Sequence, residues 1–506
     1  IKSSAASDVY KRQIMKRGHW NTHWFLLVLL TLCFMSCKDD NDGETAPYDP
    51  GTPIEITDFT PKEGGAKTRV IINGSNFGTD TSIIDVTIGG KKAPVINAKG
   101  NSIYCMIPGK VKEGNLILTI GKGSDAQTVE AKDKFTYVRK ILVSTLYGKE
   151  REDGHYEPMD GSFAESFTKY YGVAEPTWFS FDPKDYPNTL YLAQDNGKPL
   201  RIFDLKNEKI STGLKTGGDL GRMRTITWTV DGDTMIIAND GGSGGDPDIN
   251  IVSNVYATRA DNFSSFQVLA AGKQCNGSAI HPRNKELYYN SYTKGDIYRY
   301  DYRQWGVGKD NSIAHRDYMG SIQDNNWEFN MVIHPTGNYA YIVVINQHYI
   351  MRTNYNEETK SFGTPYLLCG QVGQSGWEDK VGTSARLNSP YQGVFVKNQQ
   401  YVDEGKSDHY DFYFCDRHNH CIRILTPEGL VTTFAGRGSA GLNDKPYGNV
   451  NGDLREEARF DQPAAIAYDS INNVFYVGDI ENHSIRRIGL ENWDDEENPE
   501  KNTVVE

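Results

Sequence analysis

Several short runs of this chain carry side chains that do chemistry. Cys415-Asp416-Arg417-His418-Asn419-His420-Cys421 places two thiols and two imidazoles close together, the ligand types that hold zinc. The run Asn239-Asp240-Gly241-Gly242-Ser243-Gly244-Gly245-Asp246-Pro247-Asp248 offers the oxygen ligands that suit Ca²⁺. It lacks the EF-hand spacing and the phosphate-binding glycine pattern, and it reads as an acidic loop. No GxSxG, HExxH or Ser/His/Asp order stands out. A third set is dispersed: Trp178, Arg224, Asn276, Trp327, Tyr391, Gln392, Arg417 and His418. Aromatic faces pack against the C–H faces of sugars, and arginine and amide groups bond the hydroxyl rims, so this set suits a glycan. Each tryptophan alone is more often a core plug. No catalytic residue, metal ligand or cofactor is assigned.

These residues need elements that bring them together. An apolar strand ending in a polar residue recurs as Leu190–Asn196, Met235–Asp240, Leu287–Ser291, Tyr341–Asn346, Phe412–Asp416 and Val474–Asp479. A strand precedes and follows each, as in Trp178–Pro183 and Leu200–Phe203. Four short strands per repeat make a propeller blade, and six repeats predict six blades. Ile141–Gly148 matches Val431–Gly436 and is expected to complete the last blade beside Ile488, removing an open edge. The candidate residues then fall on the loops that enter the first strand and join the second to the third, with Arg222, Gln462, Asp195, Asn196, Asp240, Tyr292, Gln347, His348 and Asn482 on the same face.

Composition limits the alternatives. The 506 residues include 50 Gly, 30 Tyr and 8 Trp, a mixture suited to turns and strands. A formal net charge of −12 argues against a partner held by its phosphates, so no nucleic acid is expected. Paired carboxylates such as Glu456-Glu457 sit in solvated runs. Cysteine spacing is not that of a disulfide framework, although Cys415 and Cys421 could pair across a hairpin.

Residues 1–14 read as lying upstream of a start at Met15. Residues 15–36 read as a signal peptide: Lys16-Arg17, then an apolar run from Trp24 to Met35, too short to span a bilayer. Met35-Ser36-Cys37 resembles a bacterial lipobox, with Phe34 where Leu is usual and Cys37 as the lipidated residue. Lys38-Asp39-Asp40-Asn41-Asp42 is similar to the acidic export signal of Bacteroidetes surface lipoproteins. Lipidation would anchor the chain at about 0.8 kcal/mol per buried CH₂. Residues 37–53 read as a tether.

Residues 54–138 alternate in short strands as an immunoglobulin-like sandwich does. Phe59-Thr60-Pro61-Lys62-Glu63-Gly64-Gly65, Ile72-Asn73-Gly74-Ser75-Asn76-Phe77-Gly78, Val86-Thr87-Ile88-Gly89-Gly90 and Phe135-Thr136-Tyr137 resemble the IPT/TIG family. The resemblance implies a spacer without a site. Within 139–490, Asp416-Arg417-His418-Asn419-His420-Cys421-Ile422-Arg423 and Asp479-Ile480-Glu481-Asn482-His483-Ser484-Ile485-Arg486 resemble the NHL family, as do the blade openers Ala385–Pro390 and Ala458–Pro463. Residues 491–506 read as a polar tail.

The expected fold class is therefore all-β: an N-terminal immunoglobulin-like (IPT/TIG) β-sandwich followed by a six-bladed NHL-type β-propeller. A lipid-anchored chain of this kind resembles the surface glycan-binding lipoproteins of Bacteroidetes. The resemblance implies non-catalytic capture of a polysaccharide or oligosaccharide at the outer membrane, with a SusC/SusD-like complex as partner. A lyase or hydrolase using His348, His418 and Tyr391 is the first alternative, and a protein-interaction scaffold the second.

Overall fold

The computed structural model describes residues 46–149, 154–241, 251–291, 295–322, 328–437 and 445–492. The readings at residues 1–45, Cys37 among them, lie outside these residues, as do Tyr292, Trp327, most of the acidic glycine loop and the polar tail. Strands dominate, and the chain divides into two compact units at Val138 and Arg139.

The first unit has two four-stranded sheets and a small parallel pair, Glu63–Gly64 with Thr136–Tyr137. Ile84–Ile88 and Leu116–Ile120 alternate buried and half-buried residues, the period of strands with one face in a core. Phe59, Ile72, Phe77, Val86 and Leu118 fill that core. Gly74 has a steric reason: a Cβ there would stand 1.8 Å from the Glu55 carbonyl oxygen.

The second unit contains six antiparallel sheets of four or five strands among the described residues. Their opening strands are, in chain order, Pro176–Phe181, Met223–Trp228, Ser278–Ile280, Phe329–Ile333, Pro390–Lys397 and Pro463–Asp469. Opening strands of consecutive sheets are neighbours, and those of the sixth and first sheets are neighbours too. The second strands are largely buried, Tyr339–Val344 and Val474–Asp479 along their whole length. Adjacent sheets cover both their faces, so they read as continuous apolar runs rather than alternating ones. Ile141–Tyr147 pairs antiparallel with Ser484–Leu490, so the sixth sheet joins both ends of the unit, with Leu142 opposite Gly489.

One hydrogen bond recurs in every sheet. A side-chain oxygen near or just after the end of the second strand accepts the backbone N–H of a residue ahead of the opening strand. The pairs are Gln194 with Ala174, Asn239 with Gly221, Asn290 with Gly277, Asn346 with Glu328, Asp416 with Asn388, and Asp479 with Asp461, at 2.7–3.2 Å. A buried N–H without a partner is costly, which explains why the strand-ending residue is polar in each repeat.

The fifth and sixth sheets add matching ion pairs. Asp416 accepts from Asn419 and Arg423, and Asp479 from Asn482 and Arg486. Both pairs are fully buried. Burial raises both carboxyls above the ordinary range, Asp479 to about 6, against the pull of the arginines.

Candidate ligand-binding face

In five sheets the residue that follows the second strand bonds back to the loop before the opening strand. The N–H groups of Asp195, Asp240, Ile345, Arg417 and Ile480 donate to the carbonyls of Glu175, Arg222, Glu328, Ser389 and Gln462. These pairs occupy equivalent places on one loop face. The backbone bond repeats while the side chains do not, and positions freed from a structural repeat are where a recognition surface can vary.

On one side of this face lies an ionic hub centred on Arg224, which is 5 % exposed. Its Nη1 donates to Asp195 Oδ2 at 2.7 Å and to the Tyr391 hydroxyl at 3.2 Å, and its Nε donates to Asn276 Oδ1 at 3.0 Å. Glu328 Oε2 and Asp240 Oδ2 lie within 3.3 Å of its other nitrogens. Arg222 grips both Asp195 oxygens at 2.7 and 2.8 Å. Burial raises the Asp195 carboxyl, but the Arg222 bonds and the Arg224 charge outweigh it and hold the group below the carboxylate range. Asp240 is raised by burial despite both arginines. The two guanidiniums thus meet three carboxylates, and Arg222 and Glu328 keep over a third of their side chains exposed.

On the other side, Ser389 donates its backbone N–H to His348 Nδ1 at 3.0 Å, and its hydroxyl meets His418 Nδ1 at 2.9 Å. His420 Nδ1 accepts from the Gln462 backbone in the same way at 3.2 Å. Burial lowers the pKa of His348; burial and then the Arg417 charge lower that of His418. Arg417 directs Nε and Nη2 at Gln462 Oε1, at 3.1 and 3.0 Å.

The structure brings together Arg224, Asn276 and Tyr391 in one hub, and Arg417 with His418 beside Ser389. Arg224, Asn276 and Tyr391 are themselves buried, so they form a floor and the ligand-facing groups are their neighbours. Two candidates need correction. Trp178 is buried between the first and second sheets, its Nε1 donating to the Ile226 carbonyl at 3.2 Å, because an indole supplies more apolar area than a loop can cover. Gln392 is a structural tie: its Oε1 accepts from Phe179 and Ile466 and its Nε2 donates to the Phe179 carbonyl. Asp195 and Asp240 carry the hub together with Glu328, which sequence reading missed because its partner Arg224 is distant along the chain. Cys415 and Cys421 are buried free thiols; the register sets Cys421 opposite Asp416, so the two do not bridge. Among the described residues no group of three or more His, Cys, Asp or Glu is placed to hold a metal ion. A groove of about 470 Å³ between the first and second sheets, lined by Leu214, Phe263 and Phe266, holds none of the hub residues.

The fold and this face define a class: an all-β chain in which an IPT/TIG domain precedes a unit of six sheets with a polar loop face. Residues 53–137 match the IPT/TIG domain family. No curated protein matches the chain. Among solved structures, an auxiliary nutrient binding protein from Bacteroides thetaiotaomicron is 45 % identical, with 88 % of this chain and 100 % of that chain covered and a TM-score of 0.79. An auxiliary nutrient binding protein from Bacteroides ovatus is 35 % identical, with coverage of 88 % and 100 % and a TM-score of 0.65. A third, from B. thetaiotaomicron, bears a provisional phosphatase name; it is 41 % identical, with coverage of 88 % and 99 % and a TM-score of 0.77. The chain belongs to the family that these Bacteroides proteins form.

Proposed function

We propose that the chain captures a polysaccharide or oligosaccharide at the cell surface without transforming it, as part of a nutrient-uptake system. The observation that carries this reading is the Arg224 hub, which gathers side chains from five of the six sheets onto one loop face. It offers many hydrogen-bonding groups held in place by partners, as a hydroxyl-rich ligand requires. The two relatives described as auxiliary nutrient binding proteins support it. In the same reading the six sheets are the blades of a closed NHL-type propeller, supported by the run of neighbouring opening strands and the Ile141–Tyr147 pairing. Cys37 carries a lipid at the outer membrane, and a SusC/SusD-like complex receives the captured glycan.

A second reading, hydrolysis, draws on the Ser389–His418 contact and on the phosphatase name of one relative. Affinity electrophoresis of the purified chain against a glycan panel separates them. Retarded migration with intact polymer supports capture, whereas falling polymer length supports hydrolysis. Absence of retention across the panel overturns the capture reading.

A further inference from the structure

We infer that Arg417 reads an acidic group on the ligand, so that the class captured is an acidic saccharide, one carrying uronate carboxylates. This rests on the capture reading above.

The argument is one of charge matching at equivalent positions. Arg222 and Arg224 meet Asp195, Asp240 and Glu328, so their charges are spent within the protein. Arg417 occupies the place that Asp195 and Asp240 hold in their own sheets. It is half-buried, and it forms no ion pair with a carboxylate among the described residues. The fully buried arginines of this unit, Arg201, Arg423 and Arg486, each have an aspartate within 3.0 Å. The half-buried Arg352 and Arg455, by contrast, bond only uncharged oxygens. Of these three half-buried arginines, Arg417 alone sits at the repeated loop-face position. Arg417 rests its Nε and Nη2 on one uncharged oxygen of Gln462, which orients the guanidinium without neutralising it. Its Nη1 has no hydrogen-bond partner among the described residues, which leaves it for an acceptor from outside.

The surroundings suit a carboxylate. At the equivalent positions on either side stand Ile345 and Ile480, both buried and uncharged. His418 beside it is exposed at its edge while its Nδ1 is partly buried against Ser389, and its lowered pKa keeps it uncharged at neutral pH. Tyr391 bonds Arg224, and the strand register sets its neighbour Pro390 opposite Asp416, next to Arg417, so the two halves of the face adjoin. The face is therefore bipolar. A guanidinium with an open edge binds carboxylate strongly and directionally. Across from it, Glu328 and the Asp195 side of the hub accept from hydroxyls. A uronate sugar carries both groups on one ring.

The test is binding of the full chain to polygalacturonate and alginate, each beside its methyl ester, at pH 7 by calorimetry and affinity gels. The ester keeps the backbone and masks the charge. At least one acidic polymer should bind ten-fold or more tightly than its ester, and added salt should weaken it. Arg417→Gln should abolish the difference. Gln462→Glu should do the same by supplying Arg417 with an internal carboxylate while leaving its side chain in place. Equal binding of acid and ester overturns the inference, as does discrimination that survives both substitutions. Retention of neutral polymers alone, such as xylan or mannan, overturns it while leaving capture intact. No retention of any glycan removes both.

Discussion

Gln392 and Phe179 are 213 residues apart and bonded twice. The Gln392 Oε1 accepts the Phe179 N–H at 2.8 Å, and its Nε2 donates to the Phe179 carbonyl at 2.7 Å. The same oxygen accepts the Ile466 N–H at 2.9 Å. One amide thus ties the opening strands of the fifth, first and sixth sheets.

Replacing Gln392 with Leu keeps most of the volume and orphans three buried backbone groups. Each costs about 1–3 kcal/mol when left without a partner. Urea or thermal unfolding should show a loss of several kcal/mol, while the folded fraction still binds. A variant as stable as the parent would show that water replaces the amide.

Arg224→Met removes the cation from a buried carboxylate cluster and should cost about 3–5 kcal/mol. Arg222→Met, at a side chain 39 % exposed, should cost less. Adding Asp240→Asn to Arg224→Met should recover part of the loss, which a double-mutant cycle in urea measures. Strict additivity would mean that Asp240 and Arg224 do not interact.

Trp178→Ala should destabilise by about 3–5 kcal/mol, the range for emptying a buried aromatic site. Glycan retention by the folded variant should be unchanged, since the indole lies between sheets. Lost retention at full stability would return Trp178 to the site.

His348 and His418 both have folded pKa values below that of a free imidazole. As pH falls, the unfolded chain takes up these protons first. The stability contributed by the neutral rings is complete above about pH 6.5 and declines as pH falls toward the lower folded values. Melting temperature against pH should show this decline. His348→Asn, which keeps an acceptor for the Ser389 N–H without a titrating ring, should flatten it. An identical profile would assign the decline to other groups.

Local patterns carried much of the fold. The polar residue ending each second strand was visible because every sheet needs that side chain for the same backbone bond. Ile141–Tyr147 was visible because a strand lacking a local partner must find a distant one. The site was less legible. Tyr391 and Arg224 could be placed on one face by counting strands, yet their contact spans 167 residues and left no local trace. Tryptophan type alone misplaced Trp178, because an aromatic plug between sheets and an aromatic platform for sugar have the same composition.

By itself, the order of residues determined the strands, their polar ends and the IPT/TIG segment, since alternation, turns and the demand of a buried N–H act over a few neighbours. Only the tertiary structure decided which charges cancel. Asp195, Asp240 and Glu328 converge on two arginines while Arg417 stands apart, and Coulomb interactions depend on distance in space, which sheet-to-sheet packing sets.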